Sequence, residues 1–197
     1  MSRKSNDEIK KTKENILEKG LDLLETKGYN ATGIQEIADA AGIPKGSFYN
    51  YFSSKEDFGV AVIKYYAAKH LVEWIARINI NSKEKQKLIK VFIDIANDYD
   101  CAGSTKGCLL GNLSAEISSA SEKCRMALLE SMDSFKIVLI NRIKEGQANG
   151  EFENKIPAEK IVDIIWSVWQ GSLLEMKVKK SNSPLNHNME SLFQLLN

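Results

Sequence analysis

Residues 32–58 read TGIQEIADAAGIPKGSFYNYFSSKEDF. Their order is a stretch of about two helical turns, a glycine, a proline, and a second short stretch that carries Phe48, Tyr49, Tyr51 and Phe52. Gly42 supplies a tight turn, and Pro44 suits the first position of a helix, where its missing N–H takes no bond away. Thr32 is a candidate N-cap for the earlier helix, with Gln35 or Glu36 near the place from which a capping box reaches back. Short helix, glycine turn, short helix is the outline of a helix-turn-helix, whose second member reads the major groove.

The residue types in the second helix suit that task. Phe48 and Phe52 lie four apart and anchor one face to a core. Lys45, Tyr49 and Asn50 then project from the opposite face, and the small Gly46 and Ser47 let the start of the helix come close to a duplex. Phosphate contacts position a protein and base contacts specify the sequence. Lys55 and the hydroxyls of Thr32 and Tyr49 suit phosphates, as do the backbone N–H groups opening the two helices, whereas Lys45 and Asn50 suit base edges.

Working outward, the apolar residues Ile16, Leu17, Gly20, Leu21 and Leu24 form one helical stripe that Gly28 ends. A cap at Ser53 or Ser54 opens a long helix through Phe58, Val62 and His70 to about Ile78. Breaks are expected at 79–83, 100–106, 118–121 and 149–158. The last two helices, about 121–148 and 158–180, each carry a strong apolar side. No strand alternation, repeat or low-complexity segment interrupts the pattern. The fold expected is all-α: an N-terminal three-helix DNA-binding domain over residues 1–54 and a larger helical ligand-binding and dimerisation domain over 55–197.

Residues 32–58 resemble the DNA-binding signature of the TetR family of bacterial transcription regulators. The resemblance implies a homodimer on a palindromic DNA operator, released by a small-molecule signal, and carries Thr32, Lys45, Gly46, Ser47, Tyr49, Asn50 and Lys55 as the DNA contacts. The stretch STKGCLLGNLSAE, residues 104–116, is similar to the branch of that family containing the repressor of N-ethylmaleimide reductase, a sensor of reactive electrophiles, with Cys108 at the sensing position. Lys177 matches a lysine of that branch near its thiol.

The chemistry of Cys108 is consistent with that role on its own terms. A thiol at a helix start beside Lys106 gains thiolate character from the helix dipole and the cation. A noncovalent inducer would instead need an apolar pocket, for which Trp74, Phe92, Tyr99, Leu113, Trp166 and Trp169 are the candidate walls. Three cysteines, Cys101, Cys108 and Cys124, fit neither a disulfide framework nor a zinc or redox pair, so thiols are expected, with a Cys101–Cys108 bridge as the one alternative. The isolated His70 and His187 give no metal-ligand spacing, and GSTKG is not a phosphate loop, so no metal, cofactor or catalytic residue is expected. An enzyme built on Cys108 is the competing reading, and it lacks a partner base.

Composition sets the limits. With 43% hydrophobic and 27% charged residues the chain can bury a core. The formal charge is +1 overall. Residues 1–57 carry nine basic against ten acidic side chains, so bulk electrostatics do not mark a nucleic-acid binder and placement of charge has to. No apolar run approaches a membrane span and the opening MSRKSNDEIKKTKEN lacks the apolar heart of a signal peptide, which predicts a cytoplasmic protein free of the membrane.

Overall fold

The computed structural model describes residues 5–79, 81–101 and 106–196, with residues 99–101 as backbone alone. Among these residues every regular element is a helix: α1 (Asn6–Lys27), α2 (Ile34–Ala40), α3 (Lys45–Phe48), α4 (Lys55–Ile78), α5 (Glu84–Cys101), α6 (Leu109–Ile117), α7 (Glu122–Ala148), α8 (Ala158–Lys179) and α9 (Ser183–Leu195). The expected all-α architecture is therefore the observed one.

Two compact units emerge. The first holds residues 1–68 together with 109–131, and the second holds 69–108 together with 132–197. The boundary expected at 54/55 falls inside the first unit, because α6 and the start of α7 fasten to the N-terminal helices. Ser121 donates to Glu56 Oε1 at 2.6 Å, Lys123 pairs with Asp57 at 3.2 Å, and Glu116 accepts from the backbone of the α1–α2 loop.

In the first unit α1 begins with a capping box, Ser5 and Glu8 exchanging bonds with each other's backbone N–H, and ends at Gly28 with φ +81°. Ile16, Leu17, Gly20, Leu21 and Leu24 are buried, as their spacing predicts. Phe48, Phe52 and Phe58 pack ring to ring beneath α3, with centroids 5.3–5.6 Å apart. Gly20 is indispensable to this packing, since a Cβ there would overlap the Phe58 ring.

Three local expectations need correction. Thr32 does not cap α2: Gly33 occupies the N-cap without a side-chain bond, while Glu36 pairs with Lys27 and Gln35 donates to Asp39. Pro44 stands at the N-cap of α3, one position before the first helical residue, and α3 is a single turn. The helix at 183–195 was not expected. Pro184 starts it, and Leu185, Met189, Leu192 and Phe193 are buried on one side at helical spacing.

In the second unit α9 packs on α8 and α5, with Asn188 donating to the Ser172 hydroxyl at 3.0 Å. The core is aromatic. Trp74 meets Phe92 and Phe135 edge-on at 5.3 and 5.4 Å, and Trp169 lies 5.1 Å from Phe92. Glu84, at the start of α5, is buried and held by Lys87 and Arg142, as a buried charge requires.

Candidate nucleic-acid interface

The turn between α2 and α3 is built from the chain's own backbone. Gly42 takes φ +69°, Gly42 N–H reaches Asp39 O at 3.1 Å and Ile43 N–H reaches Ala38 O at 3.0 Å. Asn15 of α1 braces the turn by donating to Ala41 O at 2.9 Å. That role was invisible in sequence, where Asn15 is one polar residue among many on α1. Ile37, Ala38 and Phe48 point inward, so the short helices are gripped from within.

What remains outside is the set the sequence singles out. Lys45, Gly46, Tyr49 and Asn50 are exposed and Ser47 is half-buried. Tyr49 leaves 50% of its surface in solvent, a large share for an aromatic whose edge meets Phe48. Gly46 is instructive: a Cβ placed on it would meet nothing within 4 Å. Glycine inside a helix costs roughly 0.5–1 kcal/mol relative to alanine, and nothing among the described residues calls for that sacrifice.

Lys55 is half-buried at the first position of α4, with its ammonium 4.4 Å from the centroid of the Tyr29 ring. Burial lowers its pKa, and the Glu116 carboxylate acts in the opposite direction. Tyr29 is pushed up to about 12, first by burial and then by the neighbouring Cys124 and Glu56.

Thr32 departs from its expected role as a phosphate contact. It is 1% exposed and its hydroxyl donates to Gly28 O at 2.7 Å. A phosphate oxygen needs a donor, and the single hydroxyl proton of Thr32 is already engaged. The exposed residue at the start of α2 is its neighbour Gly33.

The candidate signal residues are dispersed. Cys108 is a half-buried thiol directly before α6, following Gly107 at φ +72°. Cys124 is a buried thiol whose pKa burial raises, with its sulfur 3.8 Å from Glu56 O. Trp74, Trp166 and Trp169 belong to the aromatic core of the second unit, Lys177 lies on the last turns of α8, and Leu113 is buried in the first unit. The side chains of Tyr99 and Cys101, and with them the Cys101–Cys108 pairing, lie outside the described residues. His70 sits 2.9 Å from Glu73. Among the described residues, no three His, Cys, Asp or Glu side chains gather as a metal ion requires.

Comparison with known proteins agrees with this architecture. Residues 16–62 match the family model of bacterial regulatory proteins of the tetR family, and residues 84–192 match the tetracyclin repressor-like C-terminal domain. The chain is 31% identical to the HTH-type transcriptional repressor DhaR of Mycobacterium sp. (strain GP1), over 93% of this chain and 91% of that one. It is 30% identical to the HTH-type transcriptional repressor NemR of Escherichia coli (strain K12), over 89% of each. The crystal structure of the reduced form of E. coli NemR superposes with a TM-score of 0.86 at 27% identity, covering 92% of this chain and 95% of that chain. Helix-turn-helix geometry, an outward face free of internal duties and two matching family models together establish that the chain belongs to the TetR family of bacterial transcriptional regulators, and is not an enzyme.

Proposed function

We infer that the protein is a dimeric repressor that grips a palindromic operator with residues 1–54 and releases it when a signal reaches residues 55–197. Gly46 carries the reading of the interface: an open glycine in a structured turn is explained by the close approach of another molecule. Lys45, Ser47, Tyr49, Asn50 and Lys55 are the contacts, with Lys45 and Asn50 on base edges and Tyr49 and Lys55 on phosphates.

The partner copy is expected on α7 and α8. Ile137 and Ile164 are exposed, Leu174 and Val178 are 60% and 85% exposed, and Lys136–Asp163 and Lys144–Glu159 bridges tie the two helices side by side. Pairing this face with its copy gives an isologous interface and removes apolar surface from water. The two recognition helices then stand about 34–36 Å apart, one helical turn of DNA.

For the signal, we favour a reactive electrophile or oxidant acting at Cys108, with Lys177 as a second cation. Its place before the first turn of α6 supports this, as does likeness to a relative crystallised in a reduced form. A noncovalent ligand is the second reading, favoured by the aromatic density around Trp74, Trp166 and Trp169. The cytoplasm is the expected compartment, and no helix among the described residues is long and apolar enough to cross a membrane.

The test is selection of operator sequences from random duplexes with the thiols either unmodified or alkylated by N-ethylmaleimide. A palindromic site lost on alkylation and retained by alkylated Cys108→Ser protein supports the thiol signal. A site indifferent to alkylation moves the signal to a noncovalent ligand, and no site at all overturns the reading of the interface.

A further inference from the structure

The loop between α1 and α2 satisfies its polar backbone in two ways. Gly28 N–H returns to Leu24 O at 3.0 Å, and Thr32 returns its N–H to Tyr29 O and its hydroxyl to Gly28 O. Tyr29 and Asn30 instead direct their N–H groups at one acceptor, Oε2 of Glu116, at 2.8 and 3.1 Å. Glu116 belongs to the last turn of α6, 86 and 87 positions further along the chain. Two consecutive amides on one carboxylate oxygen form a directional, charge-assisted grip, each bond roughly twice as strong as a neutral one.

The surroundings are fitted to that grip. A Cβ on Gly28 would lie 2.5 Å from Glu116 Oε1 and 3.0 Å from Oε2, and φ is +81°, so the carboxylate approaches this closely only because residue 28 is glycine. The site lies beyond the C-terminus of α1, where the helix dipole disfavours negative charge. Helix α1 alone therefore gives no reason for a carboxylate here. The two amides hold it, and Lys55, stacked on the Tyr29 ring, interacts with it electrostatically. The gripped loop runs directly through Thr32 and Gly33 into α2, and from there through the Gly42 turn into α3.

We propose that Glu116 is a positioning residue for DNA recognition: its carboxylate fixes the Tyr29–Asn30 turn so that α2 and α3 present Lys45, Tyr49 and Asn50 to the operator, without touching DNA itself. The proposal rests on the assignment of those three residues as contacts.

The experiment compares binding of the selected operator by the full-length wild type and the variants Glu116→Ala, Glu116→Gln, Gly28→Ala and the Glu116→Ala/Gly28→Ala pair, well below their melting temperatures. Amide hydrogen exchange is followed in parallel. Glu116→Ala is expected to weaken operator binding about ten-fold and to speed exchange at the Tyr29 and Asn30 amides. Glu116→Gln keeps an oxygen acceptor and stays within about three-fold of wild type. Gly28→Ala weakens the wild type, and in the Glu116→Ala background the loss shrinks to the part caused by the backbone φ of +81°, because the carboxylate that its methyl group displaces is already gone. Wild-type affinity in Glu116→Ala, equal losses in the Gln and Ala variants, or additive losses with Gly28→Ala would each overturn the proposal. If Gly28→Ala does not fold, the Gln and Ala comparison still decides. Variants Lys45→Ala, Tyr49→Ala and Asn50→Ala that bind the selected operator as tightly as the wild type refute the contact assignment, and the Glu116 proposal falls with it.

Discussion

The molecule contains two aromatic clusters assembled in different ways. Phe48, Phe52 and Phe58 come from eleven consecutive positions, and their rings touch because α3, its following turn and the start of α4 are adjacent in the chain. Trp74, Phe92, Phe135, Trp166, Trp169 and Phe193 come from α4, α5, α7, α8 and α9, the first and last 119 positions apart. A local cluster holds one small surface rigid, which suits a face that has to fit a duplex. A distributed cluster ties five helices into one core, so a disturbance at any ring is felt by several elements.

The largest expected effect breaks the distributed cluster. Trp169→Ala removes a ring that is 3% exposed and packed between Trp74 and Phe92, and should lower stability by about 4 kcal/mol in thermal or chemical unfolding. Phe48→Ala, at 0% exposure, should lower it by about 3 kcal/mol and abolish operator binding as well, because the lost ring supports α3 directly.

A pair of glycines sharpens the contrast between packing and interface. Gly20→Ala pushes a methyl group into the Phe58 ring and should destabilise the protein by about 2 kcal/mol. Gly46→Ala meets open space and should stabilise the helix by roughly 0.5 kcal/mol while weakening operator binding. Equal operator affinity in Gly46→Ala would remove the main support for close approach at that residue.

Comparable or smaller are the effects on stability of Tyr49→Ala, expected at about 0.5–1 kcal/mol because its ring meets Phe48, and of Asn50→Ala, within about 0.5 kcal/mol because that side chain is exposed. Their operator affinities should fall, and Asn50→Ala should relax preference at one base pair by about 1–3 kcal/mol. The finest test is pH. Tyr29 keeps its proton to about 12 in the folded chain against about 10 for an ordinary tyrosine. The folded state therefore binds the extra proton between those values, and its contribution to stability, full below pH 10, is lost as pH rises towards 12. Ultraviolet titration of wild type and Tyr29→Phe reads this directly.

Sequence made the first cluster legible and concealed the second for the same reason. Four-residue spacing places Phe48 and Phe52 on one face with no knowledge of the fold, as it does the α1 stripe. Nothing in the spacing of Trp74, Phe92 and Trp169 says that their helices meet. The face carrying Lys45, Tyr49 and Asn50 could be read from what Phe48 leaves outside, yet Thr32 was misplaced, because a threonine before a helix caps it in many loops and here turns back to Gly28 O. Helix α9 escaped because two asparagines, a histidine and Pro184 in its first turns dilute the apolar pattern that Leu185, Met189, Leu192 and Phe193 carry. Glu116 could not be found at all from a single sequence, since its partners are backbone amides.

The inclusion of residues 109–131 in the first unit has a consequence for biosynthesis. A domain completed within its own first 68 residues can fold as soon as they leave the ribosome. Here the Tyr29 and Asn30 amides wait for Glu116, and Glu56 waits for Ser121, while residues 69–108 of the other unit are made in between. At about 5–20 residues per second, the 65–87 residues that separate these partners leave the nascent N-terminal helices without the fasteners for roughly 3–17 s. During that interval the Tyr29–Asn30 turn and the first turn of α4 lack partners that they hold in the finished fold, so the growing chain carries its aromatic cluster before it carries the brace of its own turn.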